Sequence, residues 1–282
     1  MNNGKIIELF ENSLKETVTK IDDKSKGADQ IVKIIETALE KYIIKFPKKK
    51  IVNFREIYAC EKLEGKVPVP KIVFKTEDFL IEEYLDGGDL DELKLSDSGT
   101  KKVYFQLGGF LKEIHKVKTK GFGFIGFDGN GEFKNLRKRA YQGFEENFRY
   151  FKEEKLLTLT EIEKAKKYFE NNGFYLNSNE SVLLHFDYED WNIRVKNNII
   201  IGILDFGDLS AGPRAYDLAR PFISYYGTKK FDYFIRGYGE IDLKEVEFYA
   251  AVRLVWMIAH HHYIKNKKDV EKKLKIFRKL IN

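Results

Sequence analysis

Three polar side chains between positions 187 and 205 have the types that phosphoryl transfer requires. Asp187 and Asp205 supply carboxylates, and Asn192 supplies an amide. Carboxylate and amide oxygens are the ligands that hard divalent cations prefer, and a carboxylate can accept or orient a hydroxyl proton. With Asn192 and Asp205 as metal ligands and Asp187 as the base, the set suits a reaction in which the metal neutralises phosphate charge.

A predicted β-hairpin would bring the two metal ligands together. Apolar residues flank the pair Asn197-Asn198 on both sides, and because Asn tolerates positive φ, this pair suits a two-residue turn. With such a turn, Asn192 lies opposite about Ile203, and Asp205 lies at the same end. We therefore expect a cation site at the open end of this hairpin.

The same residues, taken in order, carry a resemblance to known kinases. A His-x-Asp-x-x-x-x-Asn motif runs from His185 to Asn192, and Asp-Phe-Gly begins at Asp205. This order resembles the protein-kinase signature set. The sequence Gly-Pro-Arg-Ala-Tyr-Asp-Leu-Ala, which starts at Gly212, more specifically resembles the aminoglycoside phosphotransferase and choline kinase-like superfamily of small-molecule kinases.

The resemblance implies that ATP or GTP donates the phosphoryl group and that Mg²⁺ accompanies it. Lys45 is similar to the strand lysine that contacts the α- and β-phosphates in this superfamily, and Glu56 matches the helix glutamate that holds it. The segment 80–87 resembles the strand that leads into the hinge. By that match, backbone groups around Glu83 and Leu85 would bind the purine.

Three positions depart from the family pattern. The turn that would cover the phosphates has one glycine, Gly27, where three are common. Within this turn, Ser25 and the backbone near Gly27 are the candidates to donate hydrogen bonds to phosphate oxygens. Glu82 falls where an apolar residue usually lines the purine pocket; either its side chain points elsewhere or the register is off by one. Phe186 occupies a position that is usually Gly.

Hydrophobic periodicity divides the chain into two parts. Short segments rich in Ile, Val and Tyr predict strands in the first 85 residues, at 17–21, 31–37, 42–46, 72–75 and 79–84, with a helix from Asn53 to about Leu63. From Gly99 the apolar spacing becomes helical, with helices expected at 137–172, 214–226 and 243–280 around a β-region at 181–206. We expect an α+β, bilobal protein-kinase-like fold, with residues 1–85 as the nucleotide-binding lobe and 86–282 as the catalytic and substrate-binding lobe.

Composition excludes several other classes of protein. The 282 residues include 50 basic and 44 acidic residues, giving a net charge of +6, and a single cysteine, Cys60. One cysteine rules out a disulfide scaffold or a Cys-based zinc cluster. The lysines are scattered, and no apolar stretch reaches the roughly 18 residues of a membrane span. We expect a cytoplasmic monomer that binds neither nucleic acid nor a membrane.

Three classes of function remain: a small-molecule kinase, a protein kinase and an inactive kinase-like binding protein. The short stretch between Asp205 and Asp217 lacks the Ala-Pro-Glu that closes a protein-kinase activation segment, and all signature positions are filled, which favours the first class. The expected acceptor is an amine-bearing hydroxyl compound, with aminoglycosides first and choline, homoserine or a sugar as alternatives. The net positive charge is unusual for a polycation binder. Candidate acceptor-side residues are Glu145, Glu146, Asp190, Trp191, Asp208, Asp217, Tyr225, Tyr226, Glu240 and Trp256.

Overall fold

The N-terminal part of the chain is a five-stranded antiparallel sheet with two helices. The computed structural model describes residues 2–24 and 30–282. The strands lie in the order β1-β2-β3-β5-β4. These elements are α1 (Asn3–Leu14), β1 (Val18–Asp23), β2 (Gln30–Thr37), β3 (Lys41–Pro47), α2 (Lys50–Leu63), β4 (Ile72–Lys75) and β5 (Leu80–Glu83).

Strand β3 lies in the centre of this sheet, and its side chains alternate between the two faces of the sheet. One face packs against α1 and forms a small core of Ile6, Phe10, Ile35, Tyr42, Ile44, Phe46, Phe79 and Ile81. Because successive side chains of a strand alternate between faces, Lys45 points to the opposite face, where α2 lies. The alternation along β3 therefore decides that this lysine faces the interior between the two parts of the protein.

Helix α1 corrects the expectation that the chain begins with strands. The Asn2 side chain accepts a hydrogen bond from the Lys5 N–H at 2.9 Å and so caps the helix. Ile6 and Phe10 are both buried and lie one helical turn apart. These capping and periodic signals are present in the sequence, and they override the β-rich composition that follows them.

The C-terminal part is mainly helical and contains two small sheets, β11-β10-β6 and β8-β7-β12-β9. Its helices are α3 (Asp97–Ile114), α4 (Leu136–Ala140), α5 (Phe144–Glu153), α6 (Leu159–Asn172), α7 (Arg214–Ser224), α8 (Lys229–Tyr238), α9 (Leu243–Tyr263) and α10 (Lys267–Leu280). Its strands are β6 (Gly88–Asp89), β7 (Phe122–Ile125), β8 (Gly131–Phe133), β9 (Val182–Leu184), β10 (Ile193–Lys196), β11 (Ile199–Ile203) and β12 (Ser210–Gly212). The α+β, two-lobed expectation is confirmed, although the helix expected at 137–172 is three helices, the one at 243–280 is two, and α8 was not predicted.

The hairpin of β10 and β11 forms where the sequence predicts it. Asn197 and Asn198 both have positive φ, 53° and 59°, as a two-residue turn of this kind requires. An irregularity in the ladder shifts the pairing, and the Leu204 N–H donates to the Asn192 carbonyl oxygen at 2.8 Å. The predicted pairing of Asn192 with Ile203 is therefore one residue off, but the open end of the hairpin is preserved.

None of the helices within residues 2–24 and 30–282 combines the length and the apolar character that crossing a membrane requires.

Helices α3 and α8 cross in unusually close contact at two glycines. A Cβ atom added at Gly108 would lie 1.9 Å from the Phe234 carbonyl oxygen, and one added at Gly237 would lie 1.9 Å from the Phe105 carbonyl oxygen. No side chain fits at those distances. This crossing fixes α3, whose residues contact the loop that contains Asp187.

We expect Gly108→Ala to destabilise the protein by about 1–3 kcal/mol or more, because the added methyl group forces the two helices apart. The adjacent Gly109 is the matched control, since a Cβ there has its nearest neighbour, the Gly237 carbonyl oxygen, at 3.9 Å. Gly109→Ala should be neutral or gain up to ~1 kcal/mol from helix propensity. Urea unfolding of both variants measures the difference, and equal stabilities would contradict the close crossing.

Candidate active site

A cavity of about 520 Å³ lies between the five-stranded sheet and the β10–β11 hairpin. One part of its wall is apolar, and the other part is charged. The apolar residues include Val32, Ile43, Pro70, Leu85 and Leu204. The charged and amide residues include Lys24, Lys45, Glu82, Asn192, Arg194 and Asp205. The cavity therefore collects five residues to which the sequence analysis gives a role in binding nucleotide or metal: Lys45, Glu83, Leu85, Asn192 and Asp205.

Lys45 forms two buried ion pairs at this cavity. Its Nζ lies 2.8 Å from Glu56 Oε1 and 2.9 Å from Glu82 Oε1. Burial acts to lower the pKa of Lys45, but the two carboxylates outweigh it and raise the pKa above its ordinary value. The predicted pair of Lys45 and Glu56 is thus present, and the ammonium group is held in its charged form.

Helix α2 connects this ion pair to the loop that follows Asp205. The second oxygen of Glu56, Oε2, accepts a hydrogen bond from the Phe206 N–H at 2.9 Å. Its neighbour Arg55 donates to the Ile125 carbonyl oxygen at 2.7 Å and to the Gly207 carbonyl oxygen at 3.2 Å. Two consecutive residues of α2 therefore fix the position of the loop from the C-terminal part against the N-terminal sheet.

Glu82 lines the cavity. The structure therefore requires neither explanation offered from the sequence, which were a side chain that points elsewhere and a register shifted by one residue. On β5 it pairs with Ile43 of β3, and its side chain reaches Lys45. The side chain is almost completely buried. Burial raises the pKa of Glu82 to about 7, with Glu56 adding to the effect and Lys45 opposing it. A second carboxylate thus faces Lys45 where the family usually has an apolar residue.

Asp187 is held by three side chains from its own loop and from α7. Its Oδ1 lies 3.0 Å from Arg220 Nη2, and its Oδ2 accepts hydrogen bonds from Trp191 Nε1 at 3.3 Å and from Asn192 Nδ2 at 3.1 Å. Asn192 Nδ2 also donates to the Asp187 carbonyl oxygen at 2.9 Å. Because the amide nitrogen faces Asp187, the amide oxygen of Asn192 is the atom that can ligate a cation.

Asp205 and Asn192 line the same cavity and supply only oxygen atoms as ligands. Burial, and then Glu56, raise the pKa of Asp205, which a nearby cation would reverse. Within the described ranges there is no cluster of three His, Cys, Asp or Glu side chains that could hold a metal alone. Two oxygen ligands fit Mg²⁺, because that ion is usually bound by one or two protein ligands together with substrate phosphates.

Asp217 lies beneath the loop that contains Asp187 and holds its backbone. It is fully buried, and its carboxylate accepts the N–H groups of His185 and Phe186, each at 2.8 Å. His115 Nε2 lies 3.1 Å from the same carboxylate. Burial alone would raise the pKa of Asp217, but the hydrogen bond with His115 and the charges nearby lower it overall. The expectation that Asp217 is available to an acceptor is therefore wrong.

Phe186 shows why its position usually carries Gly. Its φ is +72°, in the left-handed region that disfavours residues with a side chain. The Arg253 guanidinium lies 4.3 Å from the centre of its ring, and Arg253 Nη2 donates to the Phe186 carbonyl oxygen at 2.8 Å. Phe124 packs edge-on against the ring at 5.5 Å. These contacts, together with the bond to Asp217, stabilise a conformation that Phe would otherwise avoid.

The remaining predicted nucleotide-site residues lie partly within the described chain. Glu83 and Leu85 line the cavity, and the Leu85 carbonyl oxygen accepts two hydrogen bonds from Arg194, at 3.0 and 3.3 Å. Arg194 therefore attaches this hinge segment to β10. Ser25 and Gly27 fall outside the described residues.

A second cavity, of about 340 Å³, adjoins the first, and the two share Asp91 and Trp191. Asp190 in its wall accepts hydrogen bonds from Tyr104 and Tyr225, each at 2.6 Å, and lies 3.3 Å from Lys230. The wall carries equal numbers of acidic and basic residues. The acidic ones are Asp91, Glu189, Asp190 and Asp269, and the basic ones are Arg220, Lys230, Lys272 and Lys273.

Two arginines of this site were missed in the sequence. Arg220 of α7 bridges Asp187 and Glu189, with its Nε 2.5 Å from Glu189 Oε1. Arg253 of α9 holds Phe186. Arg220 directly follows the segment 212–219 that carries the family resemblance, so a signal was present there, whereas Arg253 belongs to no motif and only the folded structure brings it to the loop.

Comparison with known proteins gives one family and many similar folds. A family model described as the phosphotransferase enzyme family matches residues 24–252. No curated protein sequence matches the chain significantly. Among solved structures, a thermostable mutant of aminoglycoside phosphotransferase APH(4)-Ia in complex with AMP-PNP and hygromycin B has a TM-score of 0.74 at 13% identity, over 98% of both chains. ADP-bound APH(2'')-Ib has a TM-score of 0.72 at 20% identity, over 99% of both chains. The gentamicin complex of APH(2'')-IIa has a TM-score of 0.70 at 19% identity, over 100% of this chain and 99% of the other.

We expect Asp217→Asn to destabilise the protein by about 3–5 kcal/mol, the loss typical when one partner of a buried charged network is removed. The amide can accept only one of the two backbone N–H groups and turns its own N–H group toward the other. Thermal and urea unfolding measure the loss. Asp232→Asn, at an exposed position of α8, is the matched control; a similar stability for both variants would show that Asp217 does not hold the loop.

Proposed function

The chain belongs to the phosphotransferase enzyme family and so to the small-molecule kinases, and from that premise we propose that it transfers the γ-phosphate of ATP or GTP to a hydroxyl group of a small molecule. One observation carries the proposal. The cavity that contains Lys45 and Asp205 meets a second cavity at Trp191, and Trp191 is hydrogen-bonded to Asp187. A donor and an acceptor could thus meet at a carboxylate.

In this proposal, residues 1–85 supply the nucleotide-binding lobe and residues 86–282 the catalytic and acceptor-binding lobe. The Lys45 ammonium group has three donors, two of which are directed at Glu56 and Glu82. The third N–H group takes part in neither ion pair and would bind a phosphate oxygen. Backbone groups of Glu83 and Leu85 would bind the purine. The comparison structures that contain AMP-PNP and ADP support a nucleotide as donor.

Asn192 and Asp205 are proposed to hold Mg²⁺ beside the phosphates. When bound, the ion would neutralise the negative charge that develops during transfer. Asp187 would accept or orient the proton of the attacking hydroxyl group. Because Arg220, Trp191 and Asn192 hold its carboxylate, Asp187 is positioned before the acceptor arrives, and no side-chain rearrangement is needed.

The acceptor is proposed to be an amine-bearing hydroxyl compound, with aminoglycosides first. Its support is the likeness in fold to structures that contain hygromycin B and gentamicin. Asp91 and Trp191, both exposed at the junction of the two cavities, could bind an ammonium group by ion pairing and cation–π contact. A neutral sugar is the second candidate, because the basic side chains of the second cavity offset its acidic ones.

We expect Asp187→Asn to lower kcat by 10²-fold or more while nucleotide affinity stays nearly unchanged, since a general base typically contributes 10²–10⁴-fold. Coupled measurement of nucleoside diphosphate release across aminoglycosides, choline, homoserine and simple sugars supplies the acceptor. Asp78→Asn, at a largely exposed position, is the control and should keep wild-type turnover. If no acceptor is phosphorylated, or if Asp187→Asn keeps most of the turnover, the proposed reaction or its base is wrong.

Removal of the proposed metal ligand tests the cation site. We expect Asp205→Ala to lose the increase in nucleotide affinity that Mg²⁺ gives, because only one protein ligand would be left. Isothermal titration of ADP with and without Mg²⁺ measures this increase for wild type and variant. An equal response of both proteins to Mg²⁺ would contradict the assignment.

A further inference from the structure

Glu82 has one carboxylate oxygen for which the described part of the protein provides no partner. Oε1 lies 2.9 Å from Lys45 Nζ, whereas Oε2 is buried and has no hydrogen-bond partner within residues 2–24 and 30–282. The side chain is only 3% exposed. Because buried polar atoms are almost always hydrogen-bonded in folded proteins, an orphaned oxygen on a residue that lines a cavity points to a ligand that donates.

The charges around this oxygen define what the ligand can offer. Lys45 carries one positive charge between the carboxylates of Glu56 and Glu82, Asp205 adds a third carboxylate, and Lys24 adds a second ammonium group that acts on Glu82. Above the pKa of about 7, where Glu82 is ionised, three carboxylates outnumber two ammonium groups, so a phosphate or a carbonyl oxygen would be repelled at Oε2. A neutral N–H donor is the complementary group.

The position of Glu82 in the chain identifies the part of a nucleotide that it meets. It lies on β5 between Lys45, the proposed phosphate-binding residue, and the hinge residues Glu83 and Leu85. In an anti nucleotide, the 5′-phosphates and the edge of the purine that carries N7 and the 6-substituent lie on the same side of the base. A residue between the phosphate site and the hinge therefore faces position 6 of the purine, not position 2.

We propose that Glu82 selects the base of the phosphoryl donor by accepting a hydrogen bond from the 6-amino group of adenine at Oε2. The inference rests on the proposed function, since it requires a nucleotide in this cavity. Adenine presents a donor at position 6, whereas guanine and hypoxanthine present a carbonyl oxygen that an ionised carboxylate repels. The preferred donor is accordingly ATP.

Isothermal titration with four nucleotides in Mg²⁺ tests this selection without any acceptor, at a pH of about 8.5 so that Glu82 is ionised. ATP has the 6-amino group, purine riboside triphosphate lacks it, and ITP and GTP replace it with an oxygen. A hydrogen bond to a charged group corresponds to a factor of about 10–100 in affinity. We expect ATP to bind that much more tightly than ITP or GTP, with purine riboside triphosphate between them.

Glu82→Gln is the informative variant, because its amide has the same shape and can present either an oxygen or an N–H group to position 6. We expect the ratio of ATP to ITP affinity to fall to within about threefold, while Glu77→Gln, at an exposed position, keeps the wild-type ratio. If Glu82→Gln does not fold, Glu82→Leu, which places the apolar residue usual in the family at this position, is titrated in its place and should lose the preference in the same way.

ITP or GTP binding as tightly as ATP to the wild-type protein would overturn the role of Glu82 while leaving the kinase function in place. A Glu82→Gln variant that keeps the full preference for ATP would do the same. Binding of none of the four nucleotides would overturn the proposed function together with this inference, so the two failures are distinguishable.

Discussion

The carboxylate of Glu56 connects the two lobes of this protein. One oxygen pairs with Lys45 on the central strand of the sheet, and the other accepts the Phe206 N–H in the loop after Asp205. Each interaction is buried, so neither partner can be replaced by water without leaving a polar group unsatisfied. Lys45 and the loop that contains Asp205 therefore have defined positions relative to each other, because the Glu56 side chain holds both.

Asp217 has the corresponding role within the C-terminal lobe. It holds two consecutive N–H groups of the loop, and Phe186 is kept at a positive φ with help from Arg253. The residue after Phe186 is Asp187, and its carboxylate is fixed by side chains of its own loop and by Arg220. Buried backbone contacts therefore determine where the half-buried carboxylate of Asp187 lies.

The sequence was informative where a local pattern determines geometry. The Asn197-Asn198 turn, the order of the motif and the pairing of Lys45 with Glu56 follow from residue types at short or family-specific spacing. A one-residue irregularity in the hairpin could not be predicted, because it depends on how the ladder packs. Arg220 was missed although it directly follows the recognised segment 212–219, whereas Arg253 was missed because a single arginine on a long helix carries no signal until tertiary packing brings it to the loop.

The connection through Glu56 can be tested by one measurement, the increase in ADP affinity that Mg²⁺ gives, compared between wild type and Glu56→Ala by isothermal titration. Glu56 is not among the proposed ligands of the metal, so its loss affects this increase through the positions of Lys45 and of the loop that contains Asp205, and through the charge that Glu56 places beside Asp205. We expect the variant to lose most of the increase. An unchanged increase in the folded variant would contradict the view that Glu56 holds the two halves of the site together.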